Sequence, residues 1–186
     1  LHDIHFSDGI GELNQAIQRL KFDEHFFLQL LMALRKRSLQ HTGASPLPDI
    51  GPYFKLISES LEFELTNAQE RVIKEIHQDL KQSISMNRLL QGDVGSGKTI
   101  VSILVSALAV GNNTQVAIMV PTEILATQHY HSFKTELVKA NIPCALLVGN
   151  MKKSERTSIL DGLKNGKIPV LVGTHALIQE IGRAHV

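Results

Sequence analysis

The segment from Gly92 to Thr99 constrains the fold of this chain more than any other part of the sequence. It reads Gly-Asp-Val-Gly-Ser-Gly-Lys-Thr, which fits the pattern G-x-x-x-x-G-K-[ST] without a mismatch. Glycines at these positions let the backbone curl so that successive N–H groups point inward at phosphates. The apolar stretch that follows predicts a helix, whose positive end would add to this nest. The segment is therefore predicted to hold the phosphates of a nucleoside triphosphate.

The residues of this loop have separate predicted roles. The backbone groups expected to surround the phosphates are those of Gly92, Asp93, Val94, Gly95, Ser96 and Gly97. Lys98 is expected to reach the β- and γ-phosphates of ATP. The Thr99 hydroxyl is expected to complete the coordination shell of the Mg²⁺ ion that accompanies ATP. Lys98 and Thr99 are thus the predicted catalytic residues, and Thr99 is the predicted metal ligand.

Short apolar runs alternate with helical stretches through the later part of the chain. The runs predict strands over residues 88–91, 115–120, 144–148 and 169–172. The stretches predict helices over residues 69–83, 98–110, 123–138 and 154–163. Repetition of strand, helix and strand with short turns indicates an α/β fold, in which helices cover both faces of a parallel sheet. Ligands of such sheets bind where the strands end, so the residues after each strand are candidates for function.

The part of the chain before residue 53 has a different pattern. Apolar residues recur at helical spacing between residues 11 and 37, and they are Leu13, Ile17, Leu20, Phe27, Leu31 and Leu34. Residues 41–52 hold three prolines and two glycines, and repeated prolines exclude a helix interior, so a linker is predicted there. We therefore expect a helical linker segment over residues 1–52 and a partial nucleotide-binding domain over residues 53–180.

Composition restricts the kinds of partner and site. The net charge is +1 over 186 residues, so a polyanion would have to bind at a local site. No apolar stretch reaches membrane-spanning length and no signal peptide opens the chain, so no membrane partner is expected. Cys144 lies in an apolar run and is expected to be a buried hydrophobic residue, not a reactive thiol. A histidine metal site is rejected, because His129 and His131 are two residues apart and would point to different faces of a helix.

Several segments resemble the motifs of superfamily 2 helicases. Residues 88–99 resemble motif I, and Val120–His129, which reads Val-Pro-Thr-Glu-Ile-Leu-Ala-Thr-Gln-His, resembles motif Ia. Val172–Gln179 resembles the later Gly-Thr-His motif. More narrowly, the residues of these motifs resemble those of the RecG-type branched-DNA helicases of bacteria. Leu65–Gln69 resembles the adenine-reading motif of that family, and the helix that contains Leu20–Glu24 resembles the segment that joins its wedge domain to its motor.

This resemblance implies a P-loop NTPase fold of the RecA-like kind and a helicase or translocase driven by ATP with Mg²⁺. The implied partner is branched double-stranded DNA, such as stalled forks and Holliday junctions, handled by a monomer in the bacterial cytoplasm. Gln69 can pair both ways with the amino group and N7 of adenine, with Phe63 as a stacking partner. Segments that follow a strand and open a helix aim free N–H groups at a DNA phosphate. The residues expected to contact DNA in this way are Pro121, Thr122, Glu123, Gly173, Thr174 and His175.

These assignments have plain structural alternatives. Gln69 could be a solvated residue on a helix, and Phe63 could belong to the core. Thr122 and Thr174 could cap the helices that follow them, because a Thr oxygen accepts an orphaned backbone N–H. Leu147–Asn150 also lacks the threonine that is usual at this strand exit in the resembled family, which puts one DNA-backbone contact in doubt.

Two other functions compete with the helicase. A transcription-repair coupling translocase has similar motifs in its motor domain. The RecG type is favoured by four features of this sequence, namely Gln91, Ser96, Glu123–Leu125 and Phe22–Glu24. A non-catalytic ATP-binding module is the second. Up to Gln179 the sequence has no acidic motif to hold magnesium and position the attacking water, so weak ATP binding without fork-stimulated hydrolysis is expected of this chain.

The last six residues, 181–186, do not resemble the continuation expected after Gln179. They can be written in codons as ATC GGA AGA GCA CAC GTC, which matches the start of a common sequencing adapter. We expect a non-native tail on a truncated gene fragment, and other codons at these positions would contradict that expectation.

Overall fold

The computed structural model describes residues 9–39, 43–175 and 177. The chain divides into two compact units, Leu1–Ala44 and Ser45–Val186. This division comes earlier than the predicted boundary after residue 52, so residues 45–52 group with the nucleotide-binding part. The segment 181–186, predicted to be non-native, lies outside the described residues.

In the described part of the first unit, a long helix, α1, spans Ile10–Leu39. It confirms the helix that apolar spacing predicted over residues 11–37. An ion pair between Arg19 and Asp23 at 3.0 Å lies along its surface, one helical turn apart. The rings of Phe22 and Phe26 stack with their centroids 5.8 Å apart.

The second unit opens with two helices, α2 over Gly51–Glu59 and α3 over Asn67–Leu80. Helix α2 corrects the prediction that the linker continues to Pro52. Proline is tolerated in the first turn of a helix, because the N–H that it lacks has no partner within the helix there. Gly51 enters α2 with a φ of +72° and lies so close to Gly111 that an added Cβ would be 3.4 Å from the Gly111 Cα.

From the phosphate loop onward, helices and strands alternate as predicted. The elements are α4 (Lys98–Gly111), β1 (Val116–Met119), α5 (Glu123–Leu137), a 3-10 turn (Val138–Ala140), β2 (Cys144–Leu147), α6 (Lys153–Lys164) and β3 (Val170–Gly173). Among the described residues, no helix is both long enough and apolar enough to cross a membrane.

The three strands form a parallel sheet in the order β1-β3-β2. Val170 in β3 lies opposite Val116 in β1 on one side and Cys144 in β2 on the other. Val170 and Val172 pack with the core formed by α2, α3, α4 and α5, whereas Leu171 packs with Leu163 of α6. Side chains of one strand therefore serve both faces, and this confirms an α/β sheet covered by helices on each side.

The predicted strand over Arg88–Gln91 is wrong. These residues are not part of a strand in the described chain, and Leu89 is 87% exposed. A strand needs a neighbour for its N–H and C=O groups, and such a partner is not evident in four residues of sequence. The Arg88 side chain holds this segment instead, through ion pairs with Asp79 and Glu75 of α3, each at 2.7 Å.

Candidate functional site

The loop over Gly92–Thr99 has the backbone geometry that its glycines predicted. Gly95 and Gly97 have φ values of +82° and +79°, in the left-handed region that residues with a Cβ rarely adopt. Gly97 directly precedes α4, so the free N–H groups of the first helical turn start at the loop. Val94 is fully exposed at the outside of the loop. The turn and the helix end together form a surface suited to an anion.

The ammonium group of Lys98 folds back into this loop. Its Nζ lies 2.7 Å from the Gly92 carbonyl oxygen, 2.5 Å from the Asp93 carbonyl oxygen and 3.4 Å from the Ser96 Oγ. An ammonium group has three N–H donors, so the loop can accept from all of them. A positive charge is therefore held among the backbone groups predicted to surround the phosphates.

Gln69 connects the start of α3 to the loop. Its Oε1 accepts a hydrogen bond from the Thr66 N–H at 2.9 Å, and its Nε2 donates to the Ser96 carbonyl at 3.1 Å. Thr66 Oγ1 accepts from the Gln69 N–H, which completes a capping box. These contacts fix which end of the amide carries oxygen. Gln69 is thus more than the solvated helix residue considered as an alternative.

One open cavity of about 800 Å³ brings the predicted nucleotide-binding residues together. Phe63, Gln69 and Thr99 line it, as do Gly95, Ser96 and Gly97. Phe63 is 55% exposed, which excludes the core position considered for it. Helix α5 adds four residues to the lining, His131, Ser132, Thr135 and Glu136. The sequence patterns singled out none of them as a ligand contact. The volume falls in the range of small-molecule sites.

The donor set at this cavity fits a magnesium ion that arrives with its nucleotide. Thr99 lies one residue after Lys98 in the first turn of α4 and lines the cavity. Mg²⁺ in nucleotide sites takes few ligands from the protein and the rest from phosphates and water. Within residues 9–39, 43–175 and 177, no group of three or more His, Cys, Asp or Glu residues could hold a metal ion on its own.

The exits of the three strands lie side by side at one edge of the sheet. The Val120 N–H, just after β1, donates to the Gly173 carbonyl at the end of β3, at 2.9 Å. A Cβ added to Gly173 would overlap the Leu147 carbonyl at the end of β2, so this close approach requires glycine. The structure thus brings together the two segments that the sequence predicted to face DNA.

The first of these segments, Pro121-Thr122-Glu123, opens α5 and is exposed. Thr122 Oγ1 accepts from the Leu125 N–H at 3.3 Å, so Thr122 caps the helix, as the structural alternative held. A hydroxyl that accepts this bond still has its own O–H to donate. Glu123 Oε1 accepts from the Asn150 N–H at 3.3 Å and so contacts the loop after β2.

The second segment, Gly173-Thr174-His175, is only partly accessible. The Thr174 side chain is 5% exposed, in contrast to the expectation that its hydroxyl faces a DNA phosphate. Thr174 is buried because it directly follows β3, which lies between the two other strands. The Thr174 carbonyl accepts from the Leu177 N–H at 2.9 Å. His175 is exposed.

Arg156 contacts the same edge, although no motif in the sequence pointed to it. Its Nη2 donates to the carbonyl oxygens of Val148 and Gly149, each at 3.2 Å. The guanidinium group therefore links α6 to the loop after β2. In contrast, Lys152 and Lys153, which begin the same helix, are exposed.

The single cysteine has the inert environment that its apolar neighbours predicted. Burial raises the pKa of the Cys144 thiol to about 12, although the nearby Lys134 charge acts in the opposite direction. The thiolate is the reactive form of cysteine, so the raised pKa agrees with the prediction of an unreactive thiol, although Cys144 is half-buried and not fully buried as predicted.

Residues 66–185 match the sequence model of the DEAD/DEAH box helicases. The chain belongs to the DEAD/DEAH box helicase family. This helicase chain is 48% identical over 163 residues to the ATP-dependent DNA helicase RecG of Aquifex aeolicus, covering 88% of the chain and 21% of that protein. It is 43% identical over 178 residues to RecG of Synechocystis sp., covering 95% of the chain and 21% of that protein.

The fold of this DEAD/DEAH box helicase chain is similar to a solved structure of RecG bound to a three-way DNA junction. The TM-score is 0.84 at 43% sequence identity, over 96% of this chain and 25% of the RecG chain. The chain thus spans about a fifth to a quarter of the length of these relatives. Their similarity confirms the predicted RecA-like fold.

Proposed function

We propose that this chain is the ATP-binding part of the first motor domain of a RecG-type DNA helicase. The whole protein uses ATP with Mg²⁺ to move along branched double-stranded DNA, such as stalled forks and Holliday junctions, in recombination and repair. Relatives at 43% and 48% identity are named as RecG, and the similar RecG structure is bound to a three-way DNA junction. A monomer in the bacterial cytoplasm is the proposed working form.

The observation that carries this proposal is the cavity shared by the phosphate loop, Gln69 and Phe63. The loop supplies free N–H groups and the Lys98 ammonium, which suit the triphosphate. Phe63 supplies an exposed ring on which a base can stack. Thr99 supplies a hydroxyl for Mg²⁺, and the bound ion would offset negative charge that develops on the phosphates.

Gln69 is oriented to read adenine in this cavity. A side-chain amide can accept two hydrogen bonds and donate two. One acceptor position is used by Thr66 and one donor position by Ser96. The remaining pair matches the amino group and N7 of adenine, whereas guanine presents a carbonyl oxygen where adenine has its amino group. Adenine is therefore the favoured base.

The proposed DNA contact lies at the edge of the sheet where the three strands end. Thr122 and the N–H groups that open α5 are exposed there, and so is His175. Contacts of this kind bind phosphates without reading sequence, which suits an enzyme that recognises a branch rather than a base order. They also need few cations, in agreement with a net charge of +1.

Calorimetric titration of the chain with ATP, GTP and tripolyphosphate tests this function. We expect tighter binding of ATP than of GTP. Lys98→Ala should weaken both ATP and tripolyphosphate by at least about tenfold, because it removes a charged donor. Gln69→Glu should weaken ATP by about tenfold and tripolyphosphate less, because it removes the donor to N7.

Lys74→Ala is the matched control for loss of a lysine charge, since Lys74 is an exposed residue of α3 that pairs with Glu70 and does not line the cavity. It should bind all three ligands as the unmodified chain does. Unchanged ATP affinity in Lys98→Ala would contradict the loop assignment. Equal affinity for ATP and GTP in the unmodified chain would contradict the role of Gln69.

A further inference from the structure

The nucleotide cavity contains carboxylates as well as the cationic loop. Glu64 and Glu136 line it together with Gly95–Thr99 and the base-binding pair Gln69 and Phe63. Carboxylates repel phosphates, so the triphosphate must lie against the loop. With the base at Gln69 and Phe63, the part of a nucleotide left for the carboxylate wall is its uncharged sugar.

Glu136 is held in a fixed position on this wall. Its Oε2 lies 2.8 Å from Lys139 Nζ, and the Glu136 side chain is 21% exposed. Lys139 Nζ in turn donates to the Ser60 carbonyl at 3.3 Å. A backbone carbonyl between α2 and α3 thus fixes the lysine, and the lysine fixes the carboxylate. A carboxylate has two oxygens with about four acceptor positions, so this ion pair leaves capacity for a ligand.

The adjacent Thr135 adds a second acceptor. Its Oγ1 donates to the His131 carbonyl at 2.9 Å, so its hydroxyl hydrogen is committed within α5. Thr135 lines the cavity, and its Oγ1 can then only accept. Thr135 and Glu136 both line this cavity, so two acceptors there suit a ligand that presents two O–H donors. The 2′- and 3′-hydroxyls of ribose are such donors.

We propose that Glu136, positioned by Lys139, and Thr135 accept hydrogen bonds from the ribose hydroxyls of the bound nucleotide. This assigns α5 a specificity-determining role, because it distinguishes ribonucleotides from nucleotides whose sugar lacks these hydroxyls. The inference rests on the proposed ATP-binding function and extends it to a part of the cavity outside the recognised motifs. A hydrogen bond to a charged acceptor carries most of the discrimination.

Calorimetric titration with ATP and with 2′,3′-dideoxy-ATP tests this role. The unmodified chain should bind ATP about tenfold more tightly, the usual effect of a hydrogen bond to a charged group. Glu136→Gln should reduce that preference to about twofold, by weakening ATP while leaving dideoxy-ATP nearly unchanged. Lys139→Met keeps the Glu136 carboxylate but removes its ion pair, so the expected preference for ATP over dideoxy-ATP lies between those of the unmodified chain and Glu136→Gln.

Glu70→Gln provides the matched control, because it neutralises an exposed carboxylate that is paired with Lys74 outside this cavity. It should keep the full preference for ATP. Circular dichroism checks that each variant folds. Should Glu136→Gln fail to fold, Thr135→Val gives the same comparison, with an expected loss of about threefold in preference.

Equal affinity for ATP and dideoxy-ATP in the unmodified chain would overturn this inference. So would a Glu136→Gln variant that weakens both nucleotides equally. If both nucleotides bind with equal affinity and Lys98→Ala abolishes both, the proposed function stands while the sugar contact fails. If the unmodified chain binds neither, the proposed function and the sugar contact fail together.

Discussion

The side-chain amide of Gln69 donates a hydrogen bond to the Ser96 carbonyl at 3.1 Å, and so joins the start of α3 to the phosphate loop. Gly97 lies directly beside this contact, since an added Cβ there would overlap Gln69 Nε2. The residue proposed to read adenine therefore touches the backbone proposed to hold the phosphates. A base bound at Gln69 would steady the loop, and a displaced loop would move Gln69.

Alanine at Gly97 should be more damaging than alanine at Gly95. Both glycines have positive φ values, but an added Cβ at Gly95 meets no described atom within 4 Å. Gly95→Ala should cost about 1 kcal/mol for the left-handed backbone alone. Gly97→Ala should cost at least about 1 kcal/mol more in the free energy of unfolding, because Gln69 must also move. Urea denaturation measures both.

The control is to make Gly95→Ala and Gly97→Ala each in a chain that also carries Gln69→Ala. With the amide removed, Gly97→Ala and Gly95→Ala should destabilise the protein equally. A difference that persists in the Gln69→Ala background would show that the Gln69 contact is not its cause.

Thr122→Asp should separate helix capping from DNA binding. Aspartate caps a helix as well as threonine does, and its charge suits a helix N-terminus, so the free energy of unfolding should change by less than about 0.5 kcal/mol. The same charge would repel a DNA phosphate, so affinity for a three-way junction should fall at least about tenfold. Fluorescence anisotropy measures the affinity. Asn67→Asp adds the same charge at the start of α3, and junction affinity equal to that of Thr122→Asp would refute a specific contact.

Arg156→Met should disturb the edge where the strands end. The guanidinium donates to the Val148 and Gly149 carbonyls, so its loss should speed amide hydrogen exchange at Asn150 and weaken junction binding by about fivefold. Lys153→Met removes the same charge from α6 but belongs to an exposed side chain. Equal weakening by both variants, with unchanged exchange at Asn150, would mean that Arg156 acts only through its charge.

Cys144 should react slowly with alkylating reagents. With a pKa of about 12 in place of the ordinary 9.0, its thiolate fraction at pH 8 is lower by about a thousandfold. Iodoacetamide should therefore modify the native protein at least about a hundredfold more slowly than an unfolded control, as mass spectrometry can follow. Modification at the rate of the unfolded control would contradict the burial of the thiol.

The same shift predicts a dependence of stability on pH. Between about pH 9 and pH 12 the unfolded chain releases the Cys144 proton while the native chain retains it. The native state then binds more protons, so the free energy of unfolding falls as the pH rises through this window. Cys144→Ala should have a shallower fall in urea denaturation. Identical slopes in the two proteins would refute the shifted pKa.

The sequence predicted those features that depend on residues near one another in the chain. The glycines of the phosphate loop need positive φ values wherever the loop lies, and apolar spacing marks α1 and α4 without knowledge of their partners. The capping box of Thr66 and Gln69 spans three residues and could be found in the same way. Such signals survive because they depend on local backbone geometry and on contacts within a few residues.

Features set by distant parts of the chain could not be predicted. Arg88–Gln91 has the composition of a strand, but a strand exists only where a neighbour pairs with it. Thr174 is buried because it follows β3, the central strand. The order of strands in a sheet cannot be predicted from any single segment of the sequence. The link from Ser60 through Lys139 to Glu136 likewise joins residues far apart in sequence.

The central position of β3 has a consequence for protein synthesis. Among the described residues, β1 and β2 pair with β3 and not with each other, although both precede it in the chain. On the ribosome the two outer strands therefore emerge before the strand that joins them. Nascent chains that stop before Val170 lack the strand that joins β1 to β2, so we expect this sheet to form only after β3 emerges, with the apolar edges of β1 and β2 unpaired until then.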